Sequence, residues 1–545
     1  METKEIHLNP PAGFYRDYLN QRTELSELFD YTYESTDWLK KRADELAKRT
    51  NSEISGINRE DLVTHLLKTH SDLEYPDAAI ENIKKLQKEE AVVIVGGQQA
   101  GLLTGPLFTL YKALTVVLSA KQQEKELKIP VVPVFWIAGE DHDFEEIRFV
   151  FKEKDGKWRK HPIVDEDVQC SASEKALPKE ELFKWLEGVF ESLPETDYTC
   201  ELIEWIQQTA TTCHTYTDFF MKLMNHFFKE EGLVFVDAHH PDLRRLETGF
   251  FKELIEKMDS LQKNQQVGLS EFVEKGYQAP IMTDEENAHL FLSVDQKRVR
   301  LDYENGYFIC RNDDQSFSKE ELLSILEAEP ERFSNNVVTR PLMQEWVLPV
   351  LAFIPGPGEL AYWGTLKPVF NLFDWKMPPL IPRIQMTIVP RAVQKWVERV
   401  DYSYETLLGE ESEQLKQEWI KAQHSFPIEK VVEEVKENVQ NVHAPLRELA
   451  RDMDPTLHAM SEKNATFLMD QIQFLESRLH RHIEETHKHA IGQFEEAIFW
   501  LKPLGSPQER IIHPIILLNI VGQSGLKQIL NQPIAVNGEH KLLFL

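Results

Sequence analysis

Glu140, Asp141, His142 and Asp143 stand side by side in "GEDHDFEEI", where residue types and spacing best suit chemistry. Carboxylates beside an imidazole hold an ammonium group or take its proton as general base. His142 is the first choice for that base, because an unperturbed imidazole titrates at about 6.5, near working pH. Its acidic neighbours are expected to raise that value. Glu140 and Asp141 complete the candidate catalytic set, and Asp143 is a candidate for binding substrate. Glu145 and Glu146 read as charges that decorate a helix start. A plain solvated loop is the rival reading.

A second candidate is "VVIVGGQQAGLLTGPLFTLYKA", from Val92 to Ala113. It is not a P-loop, since Leu102 and Leu103 stand where Lys and Ser/Thr belong, and it does not spell GxGxxG. A glycine turn that opens a helix still lets backbone N–H groups meet an anion. Gly96, Gly97 and Thr104 are therefore candidates for nucleotide, and Gln98, Gln99 and Gly101 for substrate. The rival is a tight turn whose glycines serve packing alone.

Three further stretches carry polar groups. "VDAHHPDL" offers His239 and His240 to substrate. Zinc needs three or four convergent ligands, so no metal site is assigned. "PGPGELAYWG" offers Tyr362 and Trp363 as walls of a sugar or adenine pocket. In "KPLGSPQERI", Ser506, Pro507 and Glu509 spell N-cap, N1 and N3 of a helix. With Lys502, Gly505 and Arg510 this is a second nucleotide candidate, away from the first turn. His480, His482, His487 and His489 lack metal-pair spacing and read as a solvated helix face.

These turns need elements to hold them. Val92–Val95, Val131–Ala138, Leu233–Asp237 and Val350–Ile354 are short apolar runs of the kind that fill a buried parallel sheet. Each runs into a polar or glycine-rich turn. Ligands bind beyond the carboxyl ends of such strands, so the four turns are expected to share one cleft. The core is read as 1–150, 216–288 and 331–390, interrupted by insertions at 151–215 and 289–330. The first insertion shows no clear buried strand. The second contains a hairpin turning at Glu304–Asn305–Gly306, then a capping box at Ser318 and Glu321.

Residues 391–500 differ in character. Ile428, Val432, Val435, Val439, Val442, Leu446, Leu449 and Met453 form a strict heptad seam, and Leu468, Ile472, Leu475 and Leu479 a second. Asp454–Pro455 divides them into a helical hairpin, which predicts a coiled coil and a homodimer. Pro445 is placed to kink the first helix. Residues 501–545 are expected to pack back on the core.

The chain has 545 residues, is 42% apolar and carries a formal charge of −29. That charge opposes nucleic-acid binding, which needs a basic footprint. No apolar run reaches membrane-spanning length, and no basic-then-apolar leader is seen. Four dispersed cysteines read as reduced thiols of a cytoplasmic protein.

With these motifs in place, the chain resembles the bacillithiol biosynthesis cysteine-adding (BshC) family, nearly end to end. The resemblance rests on "VGGQQAGLLTGPLFTLYKA", "FWIAGEDHDFEEI", "IPGPGELAYWG", the heptads and "PLGSPQER". It implies a cysteine ligase that joins L-cysteine to the amine of glucosaminyl malate, giving bacillithiol. It also implies an α/β fold: a Rossmann-like core of the class I synthetase type, two connective insertions and a dimerising coiled coil. Related ligases use H-x-G-H for ATP, whereas Gln99-Ala100-Gly101-Leu102 keeps only the glycine. They recognise the thiol with zinc, but no cysteine ends a strand here. Amide formation from a carboxylate requires activation as an acyl phosphate or an acyl adenylate, so ATP/ADP and Mg²⁺ are expected unless cysteine arrives pre-activated. Two alternatives stand: a sugar-nucleotide transferase using Asp141-x-Asp143, and a non-catalytic coiled-coil scaffold.

Overall fold

The computed structural model describes residues 1–31, 37–50, 56–165, 170–282, 284–311, 315–400, 402–409, 412–422 and 426–545. The chain divides into two compact units, Met1–Ile388 with Ser506–Leu545, and Val389–Gly505. Among the described residues, no helix is long and apolar enough to cross a membrane.

The four apolar runs form one parallel sheet in the order Val350–Ile354, Val92–Gln98, Val131–Ile137, Val234–Asp237. Nearly every residue in them is buried, as expected of a sheet covered on both faces. The first strand runs further than the apolar pattern suggests. Gly96 and Gly97 lie inside it, paired with Phe135 and Trp136, and do not form a turn. A Cβ on Gly96 would lie 2.8 Å from Val116, so its absence lets the helix Leu107–Leu127 lie close against the strand. A Cβ on Gly97 would meet the Trp136 carbonyl at 2.5 Å.

The stretch 151–215 does contain strands: Phe149–Lys154 and Lys157–Pro162 make an antiparallel hairpin ahead of the helices Lys179–Phe190 and Thr199–Thr212. The predicted hairpin at Asn305–Gly306 belongs to a five-stranded antiparallel sheet. A second hairpin there, Asn287–Val294 with Lys297–Glu304, turns on Asp295 and Gln296, at φ 49° and 64°. Neither residue is glycine or asparagine, so the turn carries no compositional mark. The Ser318–Glu321 capping box is formed in both directions, at 3.2 and 2.8 Å.

Five histidines of this unit are buried and neutral. His70 donates from Nδ1 to the Leu66 carbonyl and accepts the Phe235 N–H at Nε2, which fixes one tautomer. Burial lowers His65, His70 and His540 to about 4 and His289 and His513 to about 3. Their folded values lie below the unfolded value of about 6.5, so their stability is complete above that pH. It is lost as pH falls from there towards 4 and 3, by about 1.4 kcal/mol per histidine per pH unit. Thermal unfolding followed from pH 7.5 down to 4.5 should therefore show a steep fall in Tm. An unchanged Tm between pH 7 and 5 would refute neutral burial.

The second unit is helical. Ile428–Met453 and Pro455–Thr486 form the antiparallel hairpin expected from the heptads, split at Asp454, whose side chain caps Thr456. The first helix runs on through Pro445. Ile428, Val432 and Ile483 are buried together, with Ile420 and Ile472 against them. Further along, the seam is uncovered: Val442 is 79% and Leu446 60% exposed. At the other end Phe494 gathers Trp396, Tyr402 and Trp419 around its ring.

Candidate active site

At the carboxyl ends of the parallel strands lies a cleft of about 840 Å³. Three of the four turns line it; the fourth does not. The turn after Val234–Asp237 is held elsewhere. His239 pairs with Glu174 at 3.2 Å, and His240 caps the helix Pro241–Leu246 while its ring meets His65 edge-on. Their expected place in the cleft is thus corrected. His65, His240 and Asp242 bring ligand-type atoms within 4.8 Å of one another. Asp242 is already balanced by Lys68 and Arg245, each at 2.8 Å, so the cluster reads as structural.

Lys112 knits the first turn to the last. It sits in the otherwise apolar start of the helix Leu107–Leu127, and its side chain is buried. Its ammonium donates to the Gly97 carbonyl at 2.7 Å, to Gln98 Oε1 at 3.1 Å and to Glu359. Glu359 also accepts the Gly356 N–H at 2.7 Å. Burial lowers the Lys112 pKa, and Glu359 opposes that shift.

Gln99 knits the first turn to the second by donating to Asp141 Oδ2 at 2.6 Å. The other oxygen of Asp141 accepts the N–H groups of His142 and Asp143, at 2.8 and 3.2 Å. Gln98 and Gln99 thus lie beside the acidic turn, as the strand order requires.

Glu140 is different. It is buried and accepts from Arg244 and from the Asn335 N–H. Both bonds fall on Oε2, so Glu140 ties the acidic turn to Arg244 and to the strand Phe333–Asn335 while still lining the cleft. His142 meets a cation that sequence reading did not supply: Arg298 Nη1 stands 3.0 Å from its Nδ1. Burial and Arg298 lower its pKa, outweighing Asp141 and Asp143, so the expected rise is reversed. Glu146, on the exposed rim, behaves oppositely: lost hydration and the Asp143 charge raise its pKa.

Other expected residues fall outside the cleft. Gly96 is inside the strand. Gly101 and Thr104 form a tight buried turn, with Leu103 and Thr104 at positive φ. The first N–H of the helix that follows, that of Leu107, is taken by the Ile512 carbonyl at 2.8 Å. Trp363 is fully buried, stacked on Phe353 at 4.6 Å, whereas Tyr362 does line the cleft. The helix expected at Ser506 is only a 3₁₀ turn, Gln508–Arg510, with no side-chain cap. Gln508 brackets both polar groups of Ile388, and Glu509 clamps Arg383. Lys502 donates to the Gly409 carbonyl, and Gly505 ends the turn Pro503–Gly505. Arg510 alone of that motif lines the cleft, so it joins the first site instead of marking a second.

The cleft's cations are Lys112, Arg298, Arg340, Arg383 and Arg510. Arg340 donates to Gln344 at 3.1 Å and to the Tyr362 hydroxyl at 3.5 Å. Among the described residues, no carboxylate pairs with Arg340 or Arg510. Lys112 was detectable as a lone charge in an apolar helix and Arg510 from its motif; Arg298, Arg340 and Arg383 carried no such mark. No cysteine of the described residues lines the cleft.

Comparison with known proteins gives two family matches. The N-terminal Rossmann-like domain of bacillithiol biosynthesis BshC matches residues 1–384, and its C-terminal coiled-coil domain matches 386–545. A protein of Shouchella clausii (strain KSM-K16) named "Putative cysteine ligase BshC" is 48% identical over 534 residues, 98% of each chain. Proteins of the same name from Halalkalibacterium halodurans and Bacillus thuringiensis subsp. konkukian are 43% and 39% identical, over the full length of both chains.

Proposed function

The chain belongs to the bacillithiol biosynthesis BshC family, and from that premise we propose that it is a cysteine ligase, joining the carboxyl group of L-cysteine to the amine of glucosaminyl malate as the last step of bacillithiol formation. The observation that carries this reading is the division of charge in the cleft. Arg340 and Arg510 have no carboxylate partner among the described residues and suit malate carboxylates or phosphate. Asp141, Asp143 and Glu146 lie on the acidic turn and suit an ammonium.

Activation of cysteine by ATP with Mg²⁺ suits the same guanidinium pair, and a pre-activated donor is the other route. Asp141 is committed to Gln99 and two backbone N–H groups, and Glu146, whose pKa is raised by lost hydration and the Asp143 charge, is the best suited of the remaining acids to take the amine proton. The same commitment weakens a transferase reading, because Asp141 is turned onto its own backbone and away from a metal shared with Asp143. A scaffold has no need of such a cleft. Incubation of the purified chain with cysteine, glucosaminyl malate and ATP should yield bacillithiol by mass spectrometry, and a deletion strain should accumulate glucosaminyl malate. Unchanged thiols in that strain would overturn the reading.

The exposed seam around Val442 and Leu446 suits a second copy of the chain. Val442→Glu with Leu446→Glu should shift sedimentation from dimer to monomer. A monomeric wild type would refute the dimer.

A further inference from the structure

Arg298 lies on the strand Lys297–Glu304 and is held from three sides. Its Nε donates to Ser334 Oγ at 2.9 Å, Nη2 to the Asn335 carbonyl, and Nη1 points at His142 Nδ1 at 3.0 Å. Its guanidinium also stacks over Phe291 at 3.8 Å. A guanidinium carries only donors and does not deprotonate in proteins. The nitrogen it meets must therefore present a lone pair. The neutral imidazole of His142 then keeps its single proton on Nε2.

Both nitrogens of His142 are thereby committed. Nε2 already bears a proton, and Nδ1, the one place left for another, faces a permanent cation. The charged groups around the ring are Arg298 from the facing strand and Asp141 and Asp143 from its own turn; Phe291 supplies an apolar neighbour. Asp141 Oδ1 is 4.0 Å from Nδ1, farther than Arg298, so the cation decides the outcome. The side chain is still 32% exposed, so the ring reaches the cleft.

We propose that Arg298 is a positioning residue that holds His142 as a neutral Nε2–H donor, and that His142 donates this hydrogen bond to the acyl oxygen of the cysteinyl group during amide formation. This rests on the ligase reading. The donor is a mixed carboxylic–phosphoric anhydride of cysteine, made with ATP. The amine lone pair attacks its acyl carbon and the C–N bond forms. The C=O π pair moves onto oxygen, where the Nε2–H meets the new charge. The nitrogen's surplus proton passes to Glu146. Collapse restores C=O, and the acyl C–O bond breaks with its pair leaving on the phosphate oxygen. A donor already in place costs no reorganisation as the charge develops.

The test has two readouts. ¹⁵N-histidine NMR of the full chain, with His142→Ala to assign the signal, should show a neutral Nε2–H tautomer throughout pH 6 to 8. A neutral Nδ1–H tautomer, or an imidazolium in that range, overturns the proposal whether or not the ligase assay succeeds. In that assay His142→Gln, which keeps an N–H donor, should stay within about 10-fold of wild type, whereas His142→Ala should lose about 100-fold or more, as for a lost oxyanion donor. Arg298→Met should restore a histidine ionisation to the pH–rate profile. Equal damage in the Gln and Ala variants, with the acid limb of the wild-type profile abolished in both, would make His142 the base and overturn the proposal. A wild type that forms no amide while showing the Nε2–H tautomer would overturn the ligase reading and with it the donor role of His142, whereas the tautomer would still support Arg298 as the residue that positions it.

Discussion

Glu146→Gln is expected to lower turnover by about 100-fold or more, the low end for loss of a general base, while leaving the fold intact. The carboxyl lies on the rim of the cleft, and the helix that bears it, Phe144–Ile147, is fastened by Phe144 and Ile147, both buried. Only the function of its oxygens is then at stake. Lost hydration and the Asp143 charge hold its pKa above the ordinary carboxylate range. A base works when deprotonated, so the acid limb of the wild-type kcat profile should lie above the usual carboxylate value of about 4.3. Asp143→Asn, which removes the charge that contributes most to that rise, should move that limb to lower pH. Asp141→Asn should also reduce turnover, chiefly by loosening Gln99 and the turn. Saturating steady-state assays with thermal unfolding as control decide the matter. A Glu146→Gln enzyme within about 3-fold of wild type would show that the rim carboxylate takes no proton.

The parallel sheet was legible in the sequence because its strands are continuous β-branched runs, and the helical hairpin because its seam repeats strictly. The cleft was legible at Gln99 and Asp141, since adjacent parallel strands must end side by side. What failed was any inference that needed contacts from distant sequence. Glycines 96 and 97 look like a phosphate turn, yet each is a close approach inside a strand, to Val116 and to Trp136. The helix start at Leu107 looks open, yet its first N–H is taken by Ile512, from near the other end of the chain. The rise expected for His142 came from its immediate neighbours, and the reversal came from burial and from Arg298, 156 positions away. Local spacing reports the charges beside a group, whereas its titration depends on those that fold against it.

Arg244→Met is expected to cost about 3–5 kcal/mol of stability, the range for removing one partner of a buried ion pair. The side chain is wholly buried, with Glu140 on one guanidinium nitrogen and Glu247 at 2.6 Å on another. Two carboxylates share this one cation, and burial still holds Glu247 above the ordinary carboxylate range. Methionine fills much of the volume and removes the charge, so both acids are left uncompensated. They must then take up protons to remain buried. A folded pKa raised above its unfolded value gives stability that is present at low pH and lost as pH rises. The deficit of Arg244→Met should therefore be larger at pH 8 than at pH 5.5, the reverse of the histidine effect. Adding Glu140→Gln and Glu247→Gln should recover part of the loss, because neutral amides need no counter-charge. The loss also reaches the cleft, since Glu140 accepts the Asn335 N–H and Arg298 holds the Asn335 carbonyl. Arg298 should then drift from His142, and activity should fall even in molecules that remain folded. Urea unfolding at the two pH values checks the first part. A loss below about 1 kcal/mol at both would mean that the two carboxylates find other partners, and that the acidic turn does not depend on this arginine.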